Sequence, residues 1–294
     1  MLVPDRLKDL WRRCEAGEFS PKQFSELEKE ALGEYRALWR DALVPPGGGD
    51  LREALLKELQ DYFSIDRATA ENRCRAATKS LCETWQELVD EANLGSVVSF
   101  YDTSEMYIYE LMWWHTLEDD ASPLSYVVGL DIARSRAGHE YLDFGSGVGT
   151  GALLFAKHGF AVTQADVSSK MLAFAQWRVT KHGHEGGAID LKVEQLQADA
   201  YDFVTAMDVF EHLTDPLGTV DVLAKAIRSG GCLFGRFAAE QDELRPQHIV
   251  HDFEPTFARL REHGFEEVWR DGWLWGHQLF QKTRASPLNI ARSS

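Results

Sequence analysis

The chain is poor in cysteine and has no long hydrophobic run. It contains four cysteines in 294 residues, and none of them belongs to a Cys-x-x-Cys pair. Free thiols are typical of a reduced compartment. No apolar stretch approaches the roughly 20 residues of a membrane helix, and charges occur within the first ten residues, unlike a secretory signal. We therefore expect a cytoplasmic protein without a membrane span.

Positive charge is also scarce. The chain has 31 Lys and Arg against 47 Asp and Glu, a net charge of -16. Nucleic-acid phosphates bind to surfaces rich in Lys and Arg, so this balance argues against a nucleic-acid partner. Between Ser80 and Ala133 there is no Lys or Arg at all. We favour a solvated acidic face as the explanation, with a surface that attracts an amine-bearing substrate as the alternative.

The pattern of the chain changes near residue 120, where we predict a domain boundary. Residues 1–120 are predicted to form an N-terminal all-helical domain, residues 121–284 an α/β domain, and residues 285–294 a loose tail. The predicted helices of the first domain span 21–43, 51–63, 66–92 and 102–117, and the last of them begins with a capping box at Asp102.

Strands and helices alternate after residue 120, which is typical of parallel βαβ units with helices on both faces of a sheet. The predicted strands span 140–144, 161–165, 189–193, 203–207 and 231–237, with helices at about 149–158, 169–182 and 215–229 between them. A helix at 254–263 and strands at 265–270 and 274–282 follow. The short connection between the last two strands requires an antiparallel pair at the sheet edge.

The first predicted strand leads into a turn with glycines at positions 145, 147, 149 and 151, followed by a helix. Glycine lets the backbone turn sharply and approach a ligand, and a helix N-terminus offers free N–H groups. The segment 147–152 also satisfies the permissive dinucleotide pattern Gly-x-Gly-x-x-Gly/Ala. The turn therefore indicates an adenosine-like ligand, although glycine-rich turns without a ligand are common.

Three aspartates near the strand ends indicate which kind of adenosine-like ligand the turn would bind. Asp143 stands two residues before the first glycine, where a carboxylate can face an amino-acid portion rather than a diphosphate. Asp166 ends the second predicted strand, where a carboxylate can accept both ribose hydroxyls. Asp199 follows the third predicted strand and could meet an adenine amino group.

Together with Tyr201-Asp202-Phe203-Val204 on the fourth strand, these motifs resemble the class I S-adenosylmethionine-dependent methyltransferases over residues 122–283. The resemblance implies an α/β fold with a Rossmann-like seven-stranded sheet of order 3-2-1-4-5-7-6, strand 7 antiparallel, and S-adenosylmethionine as the cofactor. The cofactor-binding residues that it implies are Asp143, Gly145, Ser146, Gly147, Gly149, Asp166, Val167, Met171, Asp199, Ala200, Asp208 and Val209.

The segment from Met207 to Pro216 resembles the corresponding part of ubiquinone-biosynthesis O-methyltransferases and their small-molecule relatives. This resemblance implies a catalytic role for His212, since histidine suits general-base chemistry near neutral pH; a hydrogen bond to a neighbouring loop is the alternative. In some relatives a divalent metal binds at positions matching Asp208, Glu211 and His212. Because residue 208 is an aspartate rather than the longer glutamate, we predict no metal.

The same relatives carry a histidine after strand five, which makes His251 a second catalytic candidate and His248 a candidate substrate contact. Both could instead be ordinary loop histidines. In this class N-terminal helices commonly form a lid, and we expect Tyr101 and Tyr107 to reach the substrate pocket from there. Aromatic faces suit a sulfonium or a cationic substrate, while core packing is the default for aromatic residues.

These motifs predict methyl transfer by in-line displacement to an oxygen or nitrogen of a small molecule in secondary or cofactor metabolism. The acidic segment favours an amine, and the segment after strand four favours a hydroxyl. An NAD-dependent oxidoreductase and a catalytically inactive binding module with the same fold are the alternatives. A homodimer is compatible with each of these functions.

Overall fold

The computed structural model describes residues 1–283 except 46, 92, 118, 240 and 241, so the tail predicted at 285–294 lies outside the described residues. The N-terminal helices are α1 (Val3–Glu15), α2 (Pro21–Leu43), α3 (Leu51–Phe63), α4 (Arg67–Leu88), α5 (Leu94–Thr103) and α6 (Met106–Trp114). The later helices are α7 (Ser125–Arg134), α8 (Thr150–Lys157), α9 (Ser169–Lys181), α10 (Pro216–Ala226) and α11 (Glu254–Glu262). None of the described helices is both long enough and apolar enough to cross a bilayer.

Side-chain caps define the start of the N-terminal helices. Ser20 and Gln23 form a reciprocal capping box before Pro21, and Asp50 accepts backbone N–H groups at the start of α3. The bounds predicted for α2 and α3 are confirmed. The capping box predicted at Asp102 is wrong: Asp102 lies inside α5, and its carboxylate accepts the N–H of Ser169 at 2.9 Å. The predicted helix 102–117 is therefore divided between α5 and α6.

The strands form one sheet that confirms the predicted order and the antiparallel seventh strand. The order is β3-β2-β1-β4-β5-β7-β6, in which β7 runs antiparallel to both of its neighbours. The strands are β1 (Glu140–Phe144), β2 (Ala161–Asp166), β3 (Gly186–Asp190), β4 (Tyr201–Ala206), β5 (Ile227–Gly235), β6 (Phe265–Arg270) and β7 (Gln278–Lys282). The carboxyl ends of the parallel strands thus meet at one edge, where open α/β sheets bind ligands.

The third strand lies three residues earlier than predicted. It ends at Asp190, which pairs in register with Asp166 on β2. The Asp190 carboxylate then accepts the backbone N–H of Lys192 at 3.0 Å, so the chain turns directly after this residue. Two glycines open the strand, and without apolar side chains its beginning carries a weak sequence signal.

One continuous cluster of buried apolar side chains joins the N-terminal helices to the sheet. It includes Trp39 of α2 and Leu55 of α3 together with Tyr141 of β1 and Phe155 of α8. The rings of Tyr141 and Phe155 are stacked with centroids 3.6 Å apart. Because α2 packs on α8, helical and α/β parts share this core. The domain division at residue 120 stays a proposal.

Candidate active site

A cavity of 1330 Å³ lies at the carboxyl ends of the parallel strands. Residues that follow β1, β2 and β4 form one wall, and side chains of α5 and α6 form another. Pockets for a single ligand usually measure about 300–1,000 Å³. The cavity exceeds this range, and its two ends differ in chemistry.

The glycine turn after β1 forms the first end, which we call the cofactor end. Gly145 has φ 67°, and a Cβ there would come within 2.5 Å of the Val209 side chain. Gly147 has φ 51°, and a Cβ would lie 2.9 Å from Leu111. Both positions therefore need glycine, because the turn combines a left-handed backbone with close packing.

Asp166 anchors this turn from the end of β2. One carboxylate oxygen accepts the N–H of Gly147 and the other accepts the N–H of Ser168, both at 2.8 Å. Burial raises the pKa of Asp166, while these backbone bonds act in the opposite direction. The carboxylate lines the cavity and retains lone pairs for a ligand.

Most of the cofactor-binding residues predicted from the sequence lie together on the cavity wall. Those that line it are Gly145, Ser146, Gly147, Asp166, Val167, Met171, Asp208 and Val209. They come from three separate segments that follow β1, β2 and β4, and the sheet brings these segments to one edge.

Asp143 and Gly149 lie beneath the turn rather than on the cavity wall. Asp143 accepts the N–H of Ala152 at 3.0 Å and the hydroxyl of Thr205 at 3.1 Å. Burial raises the pKa of Asp143 to about 7. Gly149 is the N-cap of α8. Asp143 ties the turn to α8 and β4, and the cofactor contacts expected for both residues stay predictions.

Asp199 and Ala200 lie away from the cavity, on the connection that enters β4. The backbone N–H of Asp199 donates to the carbonyl of Lys225 at 2.9 Å, and its side chain is exposed. Leu191, which follows β3 directly, lines the cavity instead. Asp199 and Ala200 were expected beside the cavity because the sequence pattern placed the end of β3 three residues too late.

The second end of the cavity, which we call the acceptor end, contains the predicted residues Tyr101, Tyr107, His212 and His248. The two tyrosine rings are stacked with centroids 5.4 Å apart. The His212 and His248 rings meet edge to face at 4.7 Å. His251, by contrast, is exposed and does not line the cavity, and its expected catalytic role stays a prediction.

His212 is held through one ring nitrogen. Its Nδ1 lies 3.0 Å from both the Tyr101 hydroxyl and the Gln247 carbonyl oxygen. Because a carbonyl only accepts, we assign the hydrogen to Nδ1, which leaves Nε2 able to accept a proton. Burial lowers the pKa of His212 to about 4, and the nearby His248 acts in the same direction. The ring is therefore neutral at neutral pH.

Glu211 is a buried acidic residue of the acceptor end. Its side chain is fully buried, and neither carboxylate oxygen has a hydrogen-bond partner among the described residues. Burial and the nearby Asp208 raise its pKa to about 8. Asp208 itself pairs with Arg236 at 3.1 Å. Ligand atoms of Glu211, His212 and His248 lie within 4.8 Å of one another.

Several cavity-lining residues were not predicted from the sequence. His115, Glu110 and Trp114 come from α6 and its C-terminal cap, and Arg245 follows β5. Burial lowers the pKa of His115 to about 3 and raises the pKa of Glu110. Glu110 and His115 lie close in the sequence to the predicted Tyr101 and Tyr107, which was the available signal.

Comparison with known proteins adds three findings. A methyltransferase domain family matches residues 116–281. Ubiquinone biosynthesis O-methyltransferases of Cronobacter sakazakii and Vibrio vulnificus are 33% identical over 131 residues and 32% identical over 145 residues. These matches cover 42% and 45% of this chain and 54% and 61% of the relatives, so the chain spans little more than half of their length. A SAM-dependent methyltransferase structure from Aquifex aeolicus is 20% identical with a TM-score of 0.44, covering 55% of this chain and 93% of that one.

Proposed function

The chain belongs to the methyltransferase domain family, and we propose that it transfers a methyl group from S-adenosylmethionine to a hydroxyl oxygen of a small molecule. S-adenosylmethionine is the cofactor of this domain, which sets aside the NAD-dependent alternative. One observation carries the choice of reaction: His212 lines the cavity, is neutral, and is oriented by its Nδ1 contacts.

The reaction is an in-line displacement at the methyl carbon. The acceptor oxygen forms the new bond to carbon while the carbon–sulfur bond breaks, and S-adenosylhomocysteine leaves with the bonding pair. The hydroxyl proton passes to Nε2 of His212. Alignment of the three atoms is the main contribution of the protein, and the base adds typically ~10²–10⁴-fold.

At the cofactor end, the glycine turn and Asp166 supply the binding groups. We assign the ribose hydroxyls to Asp166, since its carboxylate lines the cavity at the end of β2. Val167, Met171 and Leu191 give an apolar surface suited to the adenine ring. The turn at Gly145 and Gly147 lets the backbone approach the methionine portion.

At the acceptor end, the stacked Tyr101 and Tyr107 suit a planar or cationic acceptor. An amine acceptor is the second candidate, because the carboxyl groups of Glu110 and Glu211 both line the cavity and can accept hydrogen bonds from an amine. The net charge of -16 favours a small molecule over a nucleic acid. A homodimer and a cytoplasmic location stay predictions.

The residues of the acceptor end also fit a divalent metal. Glu211, His212 and His248 would supply one oxygen and two nitrogen ligands, and the buried Glu211 carboxylate lacks any other partner among the described residues. A bound metal would lower the pKa of an acceptor hydroxyl. His212 would then bind the metal through Nε2, while its Nδ1 contacts with Gln247 and Tyr101 keep the ring in place.

Calorimetry tests the cofactor assignment. We expect the protein to bind S-adenosylhomocysteine and to show no heat of binding with NADH. Binding of NADH alone would contradict the family assignment of the cavity.

Transfer of a labelled methyl group tests the acceptor. The protein is incubated with methyl-labelled S-adenosylmethionine and matched sets of phenols, aliphatic alcohols and primary amines, before and after treatment with a chelator. Labelling of hydroxyl acceptors that persists after chelation supports His212 as the base. Labelling of amines alone would overturn the choice of oxygen, and loss of activity on chelation with recovery on adding Mg²⁺ or Zn²⁺ would establish metal assistance.

A further inference from the structure

A buried ion pair connects the N-terminal helices to the cofactor turn. Arg178 of α9 is fully buried, and its Nε donates to the Glu58 carboxylate of α3 at 2.7 Å. Its Nη1 donates to the carbonyl of Val148 at 2.7 Å and lies 3.0 Å from the hydroxyl oxygen of Thr150. One guanidinium thus contacts both residues that flank Gly149.

A second connection reaches the same turn from α2. The Thr150 hydroxyl lies 3.1 Å from Nδ1 of His115, and the His115 carbonyl accepts the indole N–H of Trp39 at 3.2 Å. His115, Val148 and Thr150 all line the cavity. Burial and the neighbouring Arg178 lower the pKa of His115 to about 3, so its ring is neutral.

The geometry of the turn explains why it needs such support. Val148 stands between Gly147 and Gly149, whose φ angles are 51° and 73°. Val148 therefore belongs to no regular helix or strand, and its carbonyl accepts a hydrogen bond from Arg178 instead. Burying a charged pair costs desolvation energy, and apolar residues would often stabilise a core equally well. The ion pair is thus better explained by the residues that it orients, Val148 and Thr150, than by a contribution to the free energy of unfolding.

We propose that Glu58 and Arg178 are positioning residues of the cofactor site, through which the N-terminal helices hold the glycine turn in its binding conformation. Glu58 fixes the direction of the guanidinium, and Arg178 fixes Val148 and Thr150. The helical part then supports the cofactor site from beneath, in addition to the lid expected from α5 and α6. The proposal depends on the cofactor and is independent of the acceptor.

The test separates positioning from stability with a double variant. Glu58→Gln with Arg178→Met removes both buried charges, and the amide oxygen introduced on α3 keeps an acceptor for His182, whose Nε2 lies 2.5 Å from the Glu58 carboxylate in the parent. Removing both partners avoids the unpaired charge that a single variant would bury. We expect a melting temperature near that of the parent, and S-adenosylhomocysteine affinity weaker by at least about tenfold in calorimetry.

The matched control is Asp61→Asn. Asp61 lies one turn after Glu58 on α3 and pairs with Lys181 on α9 at 2.7 Å, so it bridges the same two helices. Its pair is partly exposed and does not contact the turn. We expect affinity within twofold of the parent.

The proposal would be wrong if the double variant folds and binds S-adenosylhomocysteine with an affinity within twofold of that of the parent. If that variant does not fold, Thr150→Val decides, since it retains the ion pair and removes only the Thr150 hydroxyl contacts. We expect it to weaken S-adenosylhomocysteine binding about threefold or more, and unchanged affinity would refute the positioning role. A parent protein that does not bind S-adenosylhomocysteine would instead contradict the proposed function.

Discussion

The two ends of the cavity differ in how their buried carboxylates are paired. At the cofactor end, Asp166 accepts two backbone N–H groups at 2.8 Å, from Gly147 and Ser168. At the acceptor end, neither oxygen of Glu211 has a partner among the described residues. Both side chains line the same cavity and both are buried.

This difference shows which end the protein completes by itself. Backbone groups of the chain itself pair with Asp166, which favours a preorganised cofactor end. An unpaired buried carboxylate costs about 1–3 kcal/mol or more, which a ligand at the acceptor end can recover. We therefore expect changes at the two ends to affect different measurements.

The largest effect is expected at the acceptor end. Replacing His212 with Ala should lower turnover by ~10²–10⁴-fold because the proton acceptor is lost, while S-adenosylhomocysteine affinity in calorimetry stays within twofold. His251→Ala is the matched control, since His251 is exposed and outside the cavity. Turnover of the His212 variant equal to that of the parent would show that the ring has only a structural role.

At the cofactor end, Asp166→Ala should weaken S-adenosylhomocysteine binding by about 100-fold. The variant loses the acceptor for the Gly147 N–H and the group assigned to the ribose. Circular dichroism should show an intact fold. Asp199→Ala, at the exposed site outside the cavity, should bind like the parent. If the Asp166 variant binds S-adenosylhomocysteine as tightly as the parent, changes at the two ends do not affect different measurements as expected.

Glu211→Leu should affect stability and activity in opposite directions. Removing a buried carboxylate without a partner should raise the free energy of unfolding by about 1 kcal/mol, measured by chemical denaturation. The specificity constant for the acceptor should fall by about tenfold or more, with cofactor affinity unchanged. A destabilised variant would mean that Glu211 has a stabilising partner even without the acceptor.

The smallest effect is expected in the pH dependence. With a pKa of about 4, His212 stays unprotonated above pH 5 and loses its base function only as the pH falls through 4. For the chelator-treated protein, kcat/KM should therefore change less than about twofold between pH 5 and 7. An ordinary histidine would lose half of its free base near pH 6.5. An acid limb at that value would show that the ring is solvated in the working enzyme.

Local sequence signals predicted much of the fold because local interactions form those elements. Ser20 and Asp50 start α2 and α3 where the sequence indicated. Failures arose where a distant partner decided the structure. Asp102 has the spacing of a cap, yet it accepts the N–H of Ser169 on α9. Asp199 has the expected position after a strand, but the true strand ends at Asp190.

The sequence by itself determined the glycine turn, whose backbone geometry is local, while the sheet order and the cofactor followed from the resemblance of its motifs to a known family. Tertiary structure decided how the acceptor end is built, since Tyr101, His212 and Gln247 meet only after distant segments pack together. It also decided that Glu58 and Arg178, which lie 120 residues apart, support the turn from within the core. Burial sets the pKa of such groups, and burial is a property of the folded chain.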